Sequence, residues 1–184
     1  VAAGKRSIAF LPLAHVFERL AGHFFMYASG ATVCYAESSD TLAEDLKQIQ
    51  PHFGASVPRI FERIFSQMRE QAGASPVTER LFDWALDVAR RHARTDDPST
   101  LLSLRHRLAD HLVYRTVRER LGGEIEFMVS GGSSLRKELC ETFIGMGIDV
   151  VEGYGLTETA PVIAINPLED LRPGTLGYPV TELD

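Results

Sequence analysis

Apolar and polar positions divide the chain into short apolar runs and longer stretches with helical period. Arg6–Leu11 (RSIAFL) is a continuous apolar run closed by Pro12, the pattern of a buried strand. From His15 to Ser29, Val16, Leu20, Phe24 and Phe25 recur at helical spacing, and Gly30 marks the stop. Ala31–Ala36 (ATVCYA) is β-branched and aromatic and predicts a second strand. The next helix carries Leu42, Leu46 and Ile49, with Asp40 as its expected cap and Pro51 beyond its end. Ala55–Val57 predicts a short third strand, ended by Pro58.

A long helical stretch follows. Ile60, Phe61, Ile64, Phe65 and Met68 form one apolar face, of a helix ending near Gly73. Leu81, Phe82, Ala85, Val88 and Ala89 form a second. After the break Asp96-Asp97-Pro98-Ser99, the residues Leu101, Leu104, Leu108, Leu112, Val117 and Leu121 form a third. Strands are then predicted at Ile125–Val129 and Asp149–Glu152, with a helix over Leu135–Gly145 between them and one more strand at Pro161–Ile165. No internal repeat interrupts the pattern.

Strands alternating with helices predict βαβ units: an α/β fold with a mostly parallel sheet flanked by helices, and an added helical block at about 58–121. Residues 1–184 are expected to form a single α/β subdomain. Right-handed crossovers put helices on both faces, and ligands of such sheets sit at the carboxyl ends of strands. Three places qualify: Leu11–His15, Ser130–Ser134 and Gly153–Glu158.

Composition narrows the partners. The 184 residues are 45% hydrophobic and 24% charged, a globular balance with a net charge of −6, which gives no support to a nucleic-acid partner. Residues 51–120 carry 12 Arg against 9 acidic residues, a local excess of +3. Those arginines either line the solvent faces of helices or make a phosphate- or membrane-facing patch. Cys34 and Cys140 lie far apart and read as small apolar fillers, so a disulfide scaffold is excluded and a cytoplasmic setting is the default. No apolar run is long enough to span a bilayer. The chain begins with Val1 and reads as a piece of something longer.

The chemistry-bearing residues sit at the strand ends. In Ser130-Gly131-Gly132-Ser133-Ser134, two glycines let backbone approach a ligand and the following helix start offers free N–H groups, although a tight turn with a serine cap needs no ligand. Glu152-Gly153-Tyr154-Gly155-Leu156-Thr157-Glu158-Thr159 is more specific. Glycines bracket an aromatic ring that can face a planar base, Thr157 offers a hydroxyl to a phosphate, and Glu158 offers a hard oxygen suited to Mg²⁺. His15 follows Pro12 at a strand end and is the one histidine with a candidate site role. His23, His52, His92, His106 and His111 show no metal-site spacing.

Glu152–Thr159 with Pro161 resembles the x-G-Y-G-x-T-E motif of the adenylate-forming (AMP-binding) enzymes: acyl-CoA synthetases, aryl-CoA ligases, luciferases and adenylation domains. Leu11-Pro12-Leu13-Ala14-His15 resembles the family's P-L-x-H, Ser130–Ser133 its glycine-rich loop, and Gly174-Thr175-Leu176-Gly177-Tyr178-Pro179 its G-x-x-G-x-P. The run Leu11–Arg19, then Val57–Glu62, and the helical insertion at about 74–121 are similar to the long-chain fatty acyl-CoA synthetase branch. The resemblance implies a fold, a reaction and a set of roles. A fatty acid and ATP form acyl-AMP, and coenzyme A then displaces AMP. Tyr154 would stack on adenine, with Gly153 and Gly155 framing it and Glu152 at its polar edge. Gly131, Gly132 and Ser133 would form a wall shared by adenine and the acyl group. Thr157 would bond a phosphate, Glu158 would ligate Mg²⁺, and His15 would lie near the acyl carboxylate and phosphates.

Two departures and two absences go with it. Arg19 stands where some long-chain members carry an aromatic gate, and Glu152 where several carry Gln. The family's phosphate-gripping loop would precede this segment, and its hinge and catalytic Lys would follow, so the piece alone is expected to be inactive. The alternatives are a fatty acyl-AMP ligase and a stand-alone nucleotide-binding α/β module. The Arg-rich helical block is a candidate for peripheral contact with a membrane.

Overall fold

The computed structural model describes residues 3–38 and 40–180. Five parallel strands form the body of one sheet: β1 (Arg6–Ala9), β2 (Thr32–Tyr35), β3 (Phe53–Ser56), β4 (Phe127–Ser130) and β5 (Asp149–Gly155). β6 (Val162–Ile165) and β7 (Tyr178–Pro179) extend it antiparallel, in the order β2-β1-β3-β4-β5-β6-β7. The expected mostly parallel α/β sheet is therefore present, with an antiparallel edge.

The first crossover runs leftward from β1 to β2 through helix α1, in which a π-helical stretch Glu18–Phe24 continues as the α-helix Phe25–Ala28. The later crossovers run rightward, through α2 (Leu42–Ile49), then α3 (Pro58–Ala72), α4 (Pro76–Ala93), α5 (Thr100–Ala109) and α6 (Arg115–Arg120), and finally α7 (Lys137–Gly145). A right-handed crossover that reverses direction must change face, so α1 lies on one side of the sheet and the other helices on the opposite side. The reversal makes the gap between β1 and β3 a topological switch point, where carboxyl-end loops part and leave a crevice.

The register separates the two cores. Ile8, Gly54, Met128 and Val150 lie side by side on the face under α3 and α7, where Phe61 meets Phe143 edge-on at 5.3 Å. On the other face Phe53 stacks on Phe127 beneath Met26 of α1. The helical block grips α7. Gly145 has no room for a Cβ against the Ala89 carbonyl, His106 Nε2 hydrogen-bonds the Gly145 carbonyl at 2.7 Å, and Arg94 pairs with the buried Glu141 at 2.7 Å.

Four expectations are corrected. Thr41 occupies the α2 N-cap position in place of Asp40, and its hydroxyl donates to Asp45 and accepts the Ser38 amide rather than capping a free amide of the helix. Leu101, Leu104, Leu108 and Leu112 do not face the core: they are 58, 64, 52 and 46% exposed. The long helix carries a second apolar edge through Leu102, Ala109, Val113 and Val117, and that edge packs inward. α7 begins at Lys137, not Leu135, and no serine caps it. β5 continues through Gly153-Tyr154-Gly155, expected as loop, because β6 pairs with it.

Candidate active site

The β1, β4 and β5 ends gather the residues singled out by the sequence. After β1 the chain turns at Pro12, whose carbonyl accepts the His15 amide at 2.9 Å. His15 is exposed, and its Nδ1 accepts the Phe17 amide at 3.2 Å. An accepting Nδ1 fixes the neutral tautomer with the proton on Nε2, so the free edge of the ring is a donor. Arg19 Nε donates to the Leu13 carbonyl at 3.1 Å and braces this turn.

Sequence reasoning passed over Phe17. Its ring lies so close to Gly131 that an added Cβ would meet its Cζ at 3.0 Å. Gly131 also donates its amide to the Ser56 carbonyl at 3.2 Å, while Gly132 has φ +82° and a Cβ added there would meet Val57 Cγ1 at 3.7 Å. The glycine loop thus meets the β1 loop and the start of α3. Ser133 and Ser134 are exposed, and their hydroxyls make no hydrogen bond among the described residues. The turn-and-cap explanation of these serines fails.

Only one of the two glycines around Tyr154 is sterically demanded. A Cβ on Gly155 would overlap the Pro161 carbonyl oxygen, where the β5–β6 ladder shifts register. A Cβ on Gly153 would reach nothing closer than 4.0 Å, so that backbone stays approachable. Tyr154 is 42% exposed and pairs with no other aromatic ring among the described residues. Beyond it Thr159 locks the 3₁₀ turn Thr157–Thr159: its hydroxyl accepts the Leu156 amide at 3.0 Å and donates to the Pro161 carbonyl at 3.1 Å. Thr157 and Glu158 sit on that turn exposed, with side chains that make no hydrogen bond among the described residues.

Glu152 differs. It is buried, its Oε2 accepts the Gly174 amide at 2.8 Å, and burial raises its carboxyl above the usual range. Its carboxylate therefore ties the Gly174–Pro179 loop to β5. Buried Asn166 fastens the same loop, donating to the carbonyls of Arg172 and Thr175.

No group of three or more His, Cys, Asp or Glu residues is placed to hold a metal ion among the described residues. Glu158 is thus a lone uncommitted carboxylate beside an uncommitted hydroxyl. That donor set fits Mg²⁺, which is commonly held by one or two carboxylates together with substrate phosphates and water. No hydrogen bond joins His15 to Gly131, Thr157 or Glu158 among the described residues; they share the sheet end rather than direct contacts.

The family model described as AMP-binding enzyme matches residues 1–184. Over 180 residues the chain is 38% identical to a long-chain-fatty-acid–CoA ligase of Mycobacterium bovis, covering 96% of this chain and 30% of that protein. It is 34% identical to a peroxisomal long chain acyl-CoA synthetase of Arabidopsis thaliana, over 94% of this chain and 24% of that one. A benzoate CoA ligase structure from Burkholderia xenovorans superposes with a TM-score of 0.59 at 20% identity, covering 98% of this chain and 28% of that one. The chain spans about 30% or less of the length of these relatives.

Proposed function

The chain belongs to the AMP-binding enzyme family, and from that premise we propose that it is the central part of an ATP-dependent long-chain fatty acid–CoA ligase. The observation that carries this reading is the set of uncommitted groups at the strand ends: the His15 Nε2–H, the open backbone at Gly132 and Gly153, and the side chains of Ser133, Tyr154, Thr157 and Glu158. Arg19, Glu152 and Thr159, close to them in the chain, are tied into the scaffold.

In this reading the fatty acid carboxylate attacks the α-phosphorus of ATP and the bond to pyrophosphate breaks. The sulfur of coenzyme A then attacks the acyl carbon and AMP leaves. Tyr154 stacks on adenine, and the bare backbone of Gly153 admits its edge. Thr157 donates its hydroxyl to a phosphate oxygen. Glu158 would hold Mg²⁺, which supplies neutralisation of the phosphate charge. His15 donates Nε2–H to an oxygen of the carboxylate or phosphate. Gly131 and Gly132, backed by Phe17 and Val57, wall the space where acyl and adenine parts meet. Catalysis of this kind is positioning and charge stabilisation, with no covalent chemistry at the protein.

Glu158→Gln and Thr157→Val in the intact enzyme test the reading by fatty acid-dependent pyrophosphate exchange. Loss of one such stabilising group costs about 10²–10³ in rate. Exchange within threefold of wild type in both variants overturns it.

The enzyme is further proposed to be cytoplasmic with a peripheral membrane contact. No helix among the described residues is long and apolar enough to cross a membrane. The exposed leucine row of α5 is flanked by exposed Arg105 and Arg107, which complement an anionic lipid surface.

A further inference from the structure

On the helical side of the sheet, away from the strand-end site, α2, α3 and the end of α6 leave an open groove of about 320 Å³. Its floor is apolar: Leu46 from α2, Ile60, Ile64 and Met68 from α3, and Leu121 after α6. The floor continues into a narrow recess of about 20 Å³ that reaches Phe61, Met128 and Ile148 of the core. The walls are held in place from behind. Gly122 takes φ +101°, and a side chain there would collide with the Leu46 carbonyl, so the chain leaving α6 is pinned against α2.

The rim is mostly cationic. Lys47, Arg63 and Arg120 are exposed around the opening, and none forms an ion pair or hydrogen bond among the described residues. Arg69, Arg91, Arg94, Arg115, Arg118 and Arg172 pair with carboxylates, while Arg59, Arg80, Arg105 and Arg107 are, like the rim cations, unpaired among the described residues, so it is the clustering of three cations at one opening that sets the groove apart. Only Asp40 among the lining residues is acidic. Three uncompensated cations over an apolar trough match a molecule with an anionic head and an alkyl tail. The volume lies at the lower end of small-molecule sites, about 300–1,000 Å³, and is far from the broad area a protein partner needs.

We infer that this groove binds a single-chain anionic amphiphile, with its carboxylate or phosphate head among Lys47, Arg63 and Arg120 and its first methylenes on the floor formed by Leu46, Ile60, Ile64 and Leu121. The site is separate from the strand-end site, and its ligand class is read from the groove alone. Each buried methylene tightens binding about fourfold, so affinity rises with chain length until the trough is filled.

Calorimetric titration of the 184-residue chain, and of the intact enzyme in the absence of ATP, tests this with dodecanoate, dodecyl phosphate and dodecyltrimethylammonium below their micellar concentrations. The two anions separate a fatty acid source from a phosphate-headed lipid, and the cation controls for simple hydrophobic adsorption. The expected result is binding of at least one anion at one per chain, weakened at least tenfold by R63E/R120E and by Ala43→Trp, which fills the groove from an exposed position of α2 without changing charge. Thr157→Val with Glu158→Gln is expected to leave that binding unchanged, which separates it from the ligase reading. Absence of anion binding, equal binding of the cation, wild-type affinity in R63E/R120E, or loss of binding in the Thr157/Glu158 variant overturns the inference. Binding by the isolated chain but not by the intact enzyme also overturns it, since the groove is then covered by another segment.

Discussion

Glu18 is a buried carboxyl without a partner, and its cost to stability depends on pH. It lies in the π-helical stretch of α1, is fully buried, and neither carboxylate oxygen has a hydrogen-bond partner among the described residues. One oxygen rests where a Gly22 side chain would stand, so the absent Cβ of Gly22 gives it space but no partner. Burial raises the carboxyl from 4.5 to about 7, and the nearby Leu11 amide offsets only part of that. A carboxyl raised on folding binds its proton more tightly in the folded chain. Its contribution is therefore fully present below pH 4.5 and is lost as pH climbs to about 7. At about 1.4 kcal/mol per pH unit, the full loss is about 3 kcal/mol, a large share of a typical domain's stability of about 5–15 kcal/mol. Glu18→Gln keeps the shape and removes the ionisation. Urea unfolding followed by the fluorescence of the single tryptophan, Trp84, measures both proteins from pH 5 to 8. The variant is expected to be more stable by about 3 kcal/mol at pH 8 and within about 1 kcal/mol of wild type at pH 5. Parallel pH profiles for the two proteins would refute the reasoning, because they would mean that Glu18 carries no unpaired charge.

The remaining expectations concern scaffold, surface and completeness. Glu152→Ala frees the Gly174 amide and is expected to cost about 1–3 kcal/mol and speed hydrogen exchange at Gly174, whereas Glu152→Gln, which can still accept, restores most of both. Unchanged exchange in the alanine variant would show that the tie is not formed. Leu104→Glu with Leu108→Glu, at exposed positions, is expected to abolish sedimentation of the intact enzyme with phosphatidylglycerol vesicles while leaving its activity on a short soluble acid intact. Wild-type sedimentation of that variant removes the membrane role. The 184-residue chain given ATP, Mg²⁺ and a fatty acid is expected to yield no acyl-adenylate, since it spans about 30% of its relatives; a measured yield contradicts this.

Local chemistry made the parallel core legible. β1 through β5 are short apolar or β-branched runs bounded by Pro or Gly, and a buried parallel strand has no polar alternation to obscure it. The same locality explains the misses. Gly153–Gly155 looks like a loop until the β6 backbone lies against it, and Tyr178–Pro179 becomes a strand only through Ala164 and Ile165. The long helix at 100–120 offers two apolar edges of similar period, and choosing between them requires knowing where α4 and α7 stand. Phe17 became a site residue only through Gly131, more than a hundred positions away. Of the site itself, residue identity was legible and commitment was not: Glu152 and Glu158 are both acidic and six residues apart, yet one is bound to Gly174 and the other is free.

That difference in commitment is the strongest structural argument for the site. Beside His15, Tyr154 and the Thr157–Glu158 pair stand polar residues that spend their hydrogen bonds on the scaffold. Arg19 braces the His15 turn, Thr159 closes the turn that presents Thr157 and Glu158, and Glu152 with Asn166 anchors the loop beside Tyr154. Polar groups left idle in folding gain nothing for stability, whereas their braces do. The braces have to hold the idle groups still, because a group displaced by an ångström loses most of its value to a reaction run on positioning. Replacing a brace should then move rate and stability together, and replacing an idle group should move rate alone. The β1–β3 switch point lies at the same end of the sheet, where neighbouring crossovers leave toward opposite faces, and the β4 and β5 loops stand beside it.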